Sequence, residues 1–355
     1  MLINDIITAR VIAANYNEAA TYRIPYLGEG LFPIYKKVGL DLSFAKAHNG
    51  APVTLAPSAF DAKATYRDRP AFDVISGEMP FFREGFKIKE RDRQEILKIR
   101  DLDDPALDYI IDNIYADARN LVDGARTAAE RMRMQLLFPA NGNLGVSIQA
   151  NNVDYTYDYD PNGEWKGTNF IALSGTSLWT DSANADVFEQ IDAAATVAGN
   201  ASGDEPRYLV MNGYTFGLLR KSAEVRGTVM NIANGALAFV SDEAVRRVIR
   251  DNFGIDIVVY NKTYRDESGT ERKFVPDGYV ALIPEGALGR TAMGTTPEEA
   301  DLLGGTEADV ELVDEGIAIT VEKQVHPVNT NIFASMIALP TFERMDEVVV
   351  MKVVA

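Results

Sequence analysis

The sequence predicts an α+β protein with mixed sheets, organised around one long helix. Three observations carry that expectation. A stripe of apolar or small residues runs from Leu107 through Ile111, Ile114, Ala118, Leu121, Ala125, Ala129 and Met132 to Leu136, with the spacing of a helix that buries one face. Short alternating or wholly apolar pieces bounded by turn residues lie on both sides of it. Beyond residue 186 such pieces interleave with further helical segments.

Residues 1–37 contain one short helical pattern, Ile6, Ile7, Ala9, Val11, Ile12 and Ala13, followed by Pro25, Gly28, Gly30 and Pro33 set among large apolar side chains. Too little apolar surface gathers there for a core, so the segment is expected to be an arm that packs on something else. Residues 38–95 read as a two-stranded excursion. Asp41–Ala45 alternates, His48-Asn49-Gly50 signals a turn, and Pro52–Leu55 resumes a strand. Apolar residues return at Phe72, Val74, Ile75, Met79, Phe81, Phe82, Phe86 and Ile88, and the Ala- and charge-rich middle places the tip near residues 57–71. A lone ribbon is marginally stable, so this one is expected to rest on a neighbour.

The long helix has its own start and stop signals. Asp103 and Asp104 stand where an N-cap and a first-turn anion belong, and Pro105 takes the favoured first position. Pro139 and Asn141-Gly142 end it near Phe138. A span of 104–138 is about 50 Å long. Its alanine-rich, non-heptad spacing and the lack of a second such helix favour a lone spine over a coiled coil. Residues 146–173 are expected to form a hairpin, with Val153, Tyr155, Tyr157 and Tyr159 on one face and Pro161-Asn162-Gly163 at the turn.

Asp186 opens another helix, residues 198–206 read as a loop, and Arg207–Met211 as a buried strand before a helix through Phe216, Leu218 and Leu219. Ser241-Asp242-Glu243 caps a helix through Val245, Val248, Ile249 and Phe253 that Gly254 closes. Strands follow at 255–260, 279–283, 316–321 and 347–354, with a turn at Glu267-Ser268-Gly269.

Bulk properties narrow the class. The 355 residues are 46% apolar and 25% charged, enough for two or three ordinary folded domains. Mean hydropathy is -0.11 and there is no apolar run of membrane-spanning length. Residues Met1 to Asp5 lack a signal peptide's basic and apolar regions, and the chain has no cysteine. Both features fit a product of the reducing cytoplasm. A net charge of -17 argues against the cationic footprint of a nucleic-acid binder.

Chemistry-bearing constellations are scarce. Histidine occurs only at His48 and His326, and no zinc-protease, nucleophile-elbow, P-loop or dinucleotide pattern is present. No catalytic, cofactor or metal site is therefore expected. Asp158-x-Asp160-x-Asn162-Gly163 matches half of a calcium loop, yet Asn169 stands where a bidentate Glu is required, so a polar hairpin tip explains it better. The carboxylate pairs Asp103/Asp104 and Glu298/Glu299 read as a cap and as solvated surface. The densest mixed charge lies at Arg67-Asp68-Arg69 and around Arg91 and Arg93. It is either a solvated face or, on a projecting loop of an acidic protein, a set of arginines seeking carboxylates on the next subunit. Together with Phe81 and Phe82, these residues are the candidates for contacts between subunits.

Residues 2–99 resemble major capsid proteins of long-tailed phages of Gram-positive bacteria. The likeness runs from Leu2-Ile3-Asn4-Asp5-Ile6-Ile7-Thr8-Ala9-Arg10 through Asp61-Ala62-Lys63-Ala64-Thr65 and Glu78-Met79-Pro80-Phe81-Phe82 to Asp92-Arg93-Gln94-Glu95. It continues at Lys273-Phe274-Val275-Pro276-Asp277 and over Pro340–Ala355, and the wider group is similar to the lambda major head-protein family. The resemblance implies the Hong Kong 97-type phage capsid fold: an N-terminal arm at 1–37, an extended β-hairpin loop at 38–95, and a peripheral domain at 96–185 with 320–355. The axial domain would then be 186–319. It further implies hexamers and pentamers of this chain closing into an icosahedral shell around double-stranded DNA, assembled in the host cytoplasm. A separate scaffolding protein, a portal and a decoration protein are the partners it brings, since the chain opens at Met1 with no long charged helical extension. No crosslinking chemistry is carried over, because the Lys, Asn and acid it needs match no positions here. An encapsulin-like compartment or another structural phage protein is the rival of related fold.

Overall fold

The computed structural model describes residues 7–20, 25–45, 74–88, 90, 94, 105–150, 153–203, 205–232, 240–305, 308–314, 316–326 and 328–355. Helices α1 (Ala9–Ala20) and α2 (Leu27–Leu31) precede strands β1 (Ile34–Lys36), β2 (Asp41–Ala45), β3 (Val74–Glu78) and β4 (Phe81–Ile88). The long helix α3 (Pro105–Leu137) leads to β5 (Gly145–Ala150), β6 (Val153–Asp158), α4 (Glu164–Asn169) and β7 (Phe170–Ala172). Next come α5 (Val187–Ser202), β8 (Tyr208–Met211), α6 (Gly213–Lys221), α7 (Ala223–Ile232), α8 (Asp242–Phe253) and β9 (Asp256–Val259). Strands β10 (Thr263–Arg265), β11 (Glu271–Lys273), β12 (Tyr279–Ile283) and β13 (Thr291–Met293) follow. The chain closes with β14 (Asp309–Val313), β15 (Ile317–Gln324), β16 (Asn329–Pro340) and β17 (Val349–Lys352).

Two compact units share the chain: 1–42, 76–131 and 290–341 form the first, and 43–75, 132–289 and 342–355 the second. The expected boundary at 319/320 falls inside β15 and that at 185/186 inside the second unit.

In the first unit a six-stranded sheet runs β1-β13-β16-β15-β14, with β4 also on β16. Strand β16 holds it together, pairing β15 from Ile317↔Met336 to Gln324↔Asn329 and β4 from Phe81↔Ile337 to Ile88↔Thr330. The sequence reading placed no strand at 329–340. This strand is buried along most of its length, so it shows no period of two, and Asn329, Asn331 and Pro340 imitate turn residues.

The N-terminal segment also departs from expectation. Ile7, Ala9, Ile12, Ala13 and Tyr16 are buried, α1 lies along β14 and β15, and β1 adds in parallel to β13. Ala9, Ile12, Ala13 and Tyr16 form an i, i+3, i+4, i+7 stripe, so the segment contributes to the core of its own unit. Strand β4 likewise belongs to the sheet, so the excursion begun by the paired β2 and β3 returns into the unit at residue 81. The Met79 amide donates to the Leu40 carbonyl (2.9 Å) at its base; its expected tip lies outside the described residues.

The second unit is built on the sheet β7-β17-β12-β8-β9. All five residues of β12 are buried, as befits a central strand. Val187, Ile191, Ala194 and Ala198 of α5, Phe216 and Leu219 of α6, Val225 and Val229 of α7, and Val245, Val248 and Ile249 of α8 join its core. The Ser241 hydroxyl accepts the Ala244 amide (3.2 Å) and Gly254 closes α8 in the left-handed conformation, both as expected. Helix α5, however, runs to Ser202 with Gly203 as its cap, where a loop was expected from 198. Burial of Ala198 offsets the weak helix propensity of Gly199, Asn200 and Ser202.

The hairpin is shorter than expected. Strand β6 pairs with β5, from Gly145↔Asp158 to Ala150↔Val153, so its turn precedes Val153. Pro161-Asn162-Gly163 instead opens α4. There the Asp160 carboxylate accepts the amides of Trp165 (3.0 Å) and Lys166 (2.9 Å). Those bonds occupy the half of a calcium loop noted in the sequence.

Gly278 illustrates how tightly the second sheet is closed. Its φ is +77°, and a Cβ there would lie 2.6 Å from the Val354 Cβ, while its carbonyl accepts the Val353 amide (2.7 Å). Gly278→Ala should destabilise the unit by about 2–3 kcal/mol, combining left-handed strain with overpacking. Urea unfolding measures it, and a stability loss below about 0.5 kcal/mol would show that the C-terminal strand yields freely.

Candidate functional site

Of the seven candidate contact residues, Arg67, Asp68, Arg69, Arg91 and Arg93 lie outside the described residues. Phe81 and Phe82 stand together at the start of β4, half-buried and opposite Ile337 and Met336 of β16. The Arg83 guanidinium sits 4.9 Å from the centre of the Phe81 ring, a cation–π arrangement. Both phenylalanines thus brace their own chain's sheet while keeping part of each ring exposed.

Beside them the structure corrects the reading of Glu298/Glu299 as solvated surface. Glu298 is buried at the start of a π-helical turn, Glu298–Leu302. It pairs with Arg83 and accepts the Ser335 hydroxyl (2.9 Å). Glu299 binds the Lys36 ammonium (2.5 Å), which also donates to the Gly294 carbonyl (3.2 Å). A buried carboxylate persists only when paired and hydrogen-bonded, and here two consecutive acids clamp β4 and β1 to one sheet. The pattern Glu-Glu before apolar residues gave no hint of this, because the arginine that buries the first acid lies 215 positions away.

A second polar cluster ties the N-terminal segment to α3. Arg119, Asp123, Arg126, Thr127 and Glu130 recur at three- and four-residue intervals and so share one helix face. Arg119 donates to the Asn15 amide oxygen (3.0 Å), and the Tyr16 hydroxyl donates to Asp123 (3.4 Å) while accepting from Arg126 (3.0 Å). Arg126 also holds Glu29 (2.6 Å), the Tyr26 and Thr127 hydroxyls share a hydrogen bond (3.1 Å), and the Gly28 amide donates to Glu130 (3.0 Å). Burial opposes the charge on Arg126, yet hydrogen bonds to Tyr16 and Glu29 outweigh it and hold its pKa above the usual arginine value. Burial likewise raises the Tyr16 phenol. These groups position a segment. Among the described residues no three His, Asp or Glu gather to hold a metal ion, and no helix is long and apolar enough to cross a membrane.

The arrangement is one of braces and surfaces, and the comparisons agree. The profile of a family described as phage major capsid protein E matches residues 8–353. No curated protein matches the sequence. Among solved structures, the chain is similar to a protein described as the capsid protein of a prophage of E. coli CFT073, at 15% identity and TM-score 0.58, over 98% of this chain and 99% of that one. It is similar to a phage-related protein from Bordetella bronchiseptica RB50, at 11% identity and TM-score 0.55, over 98% and 97%. A capsid subunit of cyanophage A-1(L) matches at 11% identity and TM-score 0.50, over 92% of both chains.

Proposed function

The chain belongs to the phage major capsid protein E family, and on that premise we propose that its copies form hexamers and pentamers of an icosahedral shell enclosing double-stranded DNA. It has the Hong Kong 97-type capsid fold, and it is a structural subunit of the virion capsid, used in many copies. The family match over residues 8–353 carries this reading. Because that family is a capsid family, it favours a virion shell over the encapsulin-like alternative.

In the proposed subunit, residues 1–37, packed on their own unit, are the N-terminal arm, and of the extended loop expected at 38–95 the part ahead of β4 reaches adjacent copies. Strand pairing supports giving the peripheral role to the first unit and the axial role to the second. Relative to the boundaries expected from sequence, β13, β14 and the start of β15 then move to the peripheral side, and the end of α3, β5, β6, α4, β7 and β17 to the axial side. The subunit's work is assembly, without catalysis or cofactor. A scaffolding protein, a portal and a decoration protein are its proposed partners, and assembly takes place in the host cytoplasm. A net charge of -17 fits a lining that encloses DNA without gripping it.

Electron microscopy and sedimentation of the protein, alone and with its scaffolding partner, test this. Closed shells are expected, or capsomers near 234 kDa, six times 39.0 kDa. A compact monomer under both conditions would overturn the reading.

A further inference from the structure

Both ends of the β4–β16 ladder carry aliphatic side chains that their own chain leaves in water. At one end, the segment between β15 and β16 holds Val325, 72% exposed, and Val328, 44%. At the other, the chain leaves β1 through Val38, 87% exposed, and Leu40, 43%. The Leu40 carbonyl accepts the Met79 amide, two residues before β4 begins. Between the two ends β16 runs beside β4 from Thr330↔Ile88 to Ile337↔Phe81, so the patches lie roughly 25–30 Å apart along the strands.

Single exposed aliphatics are ordinary on protein surfaces. Here the described residues include nine large exposed apolar side chains, and four of them fall in two pairs at the two ends of one ladder. The fold does not need them there. Eight paired positions fix the β15–β16 register, and polar turn residues would join those strands as well, as Asp266, Ser268 and Thr270 do between β10 and β11.

We propose that the two patches are the halves of one contact between copies of this chain: Val325 and Val328 of one copy pack on Val38 and Leu40 of the next. The inference rests on the reading of the chain as a shell subunit, which supplies the second copy as occupant. Geometry selects the pairing. Two different surfaces at opposite ends of one element meet head to tail, and such contacts, repeated about an axis, close a ring. An antiparallel two-fold pair would join the same two patches but close at two copies, so covalent dimers alone from the oxidised double-cysteine variant would overturn the head-to-tail arrangement. Four aliphatic side chains make a weak contact alone, and repetition through an assembly multiplies it.

Full-length Val325→Asp and Val38→Asp test the proposal. Each should keep the wild-type circular dichroism and unfolding midpoint, since surface substitutions of this kind barely alter stability. Each should lower the assembled fraction in sedimentation by about tenfold or more, because a charge is then buried without a partner. Combining Val38→Asp with Val325→Lys should recover most of that loss. The chain has no cysteine, so Val38→Cys with Val325→Cys, oxidised after assembly, should give a ladder of covalent multimers, while either single variant gives none. Aspartate variants that assemble like the wild type would overturn the contact. Loss without rescue or crosslinking, or dimers from Val325→Cys alone, would overturn the pairing. Wild-type protein that never assembles would instead sink the shell reading itself.

Discussion

Replacing residues 57–71 by a short Gly-Ser linker should abolish shell closure and leave the protein folded. The replaced stretch is rich in Ala and charge and holds few large apolar residues, so the cores lose little. The described strands on either side, β2 and β3, remain paired, and the Met79–Leu40 hydrogen bond still fixes the base of the excursion. What disappears is the proposed reach to an adjacent copy, including Arg67 and Arg69, whose planar guanidinium groups suit carboxylates across an interface in an otherwise acidic protein. Circular dichroism and urea unfolding should match the wild type while micrographs lose all closed shells. Shells at wild-type yield would show that the loop is dispensable.

Trp165→Ala should cost about 3–5 kcal/mol, the range for emptying a buried aromatic site. Trp165 is 1% exposed, and its indole donates to the Met345 carbonyl (2.8 Å). Asn169, one helical turn on, donates to the carbonyls of Asp346 (2.7 Å) and Val348 (3.0 Å). Helix α4 is thereby fastened to the chain that enters β17. Trp165→Phe retains most of the ring and removes one of two bonds to the Met345 carbonyl, which still accepts the Val348 amide (3.1 Å). It should cost about 1–2 kcal/mol. The measurement is direct, because both tryptophans, Trp165 and Trp179, lie in the second unit. In each variant Trp179 fluorescence follows urea unfolding of that unit alone. Equal losses for Phe and Ala would assign the stability to the hydrogen bond and not to the packed ring.

Local signals in this sequence translated well into local structure. Pro105 and Pro139 bracket a helix of Pro105–Leu137, and Ser241 and Gly254 cap the helix between them. These effects act within a turn of the residue that causes them. Features that depend on distant partners were not legible. Strand β16 lacks alternation because several neighbours bury it. Pro161-Asn162-Gly163 is equally good chemistry for a hairpin turn and for entry to α4, and only the packing of Trp165 decides. The N-terminal stripe was visible, but its partners β14 and β15 lie some three hundred residues away. The candidate site was legible only as the arm, loop and helix pattern behind the resemblance to capsid proteins. Its clamps were hidden, because an acid such as Glu298 looks like surface until Arg83 and Ser335 are placed beside it.

That distance between α1 and its partners has a consequence during synthesis. Helix α1 needs β14 and β15, and β1 needs β13, so the first segment leaves the ribosome long before its binding surface exists. At about 5–20 residues per second, the wait is roughly 15–60 s. Throughout it Ile7, Ile12 and Tyr16 stand in water on a nascent chain, as targets for holding chaperones. The second unit, mostly one continuous stretch from 132 to 289, still lacks β17 until residues 349–352 have emerged. Both sheets therefore stay unfinished until their last strands, β16 and β17, have emerged.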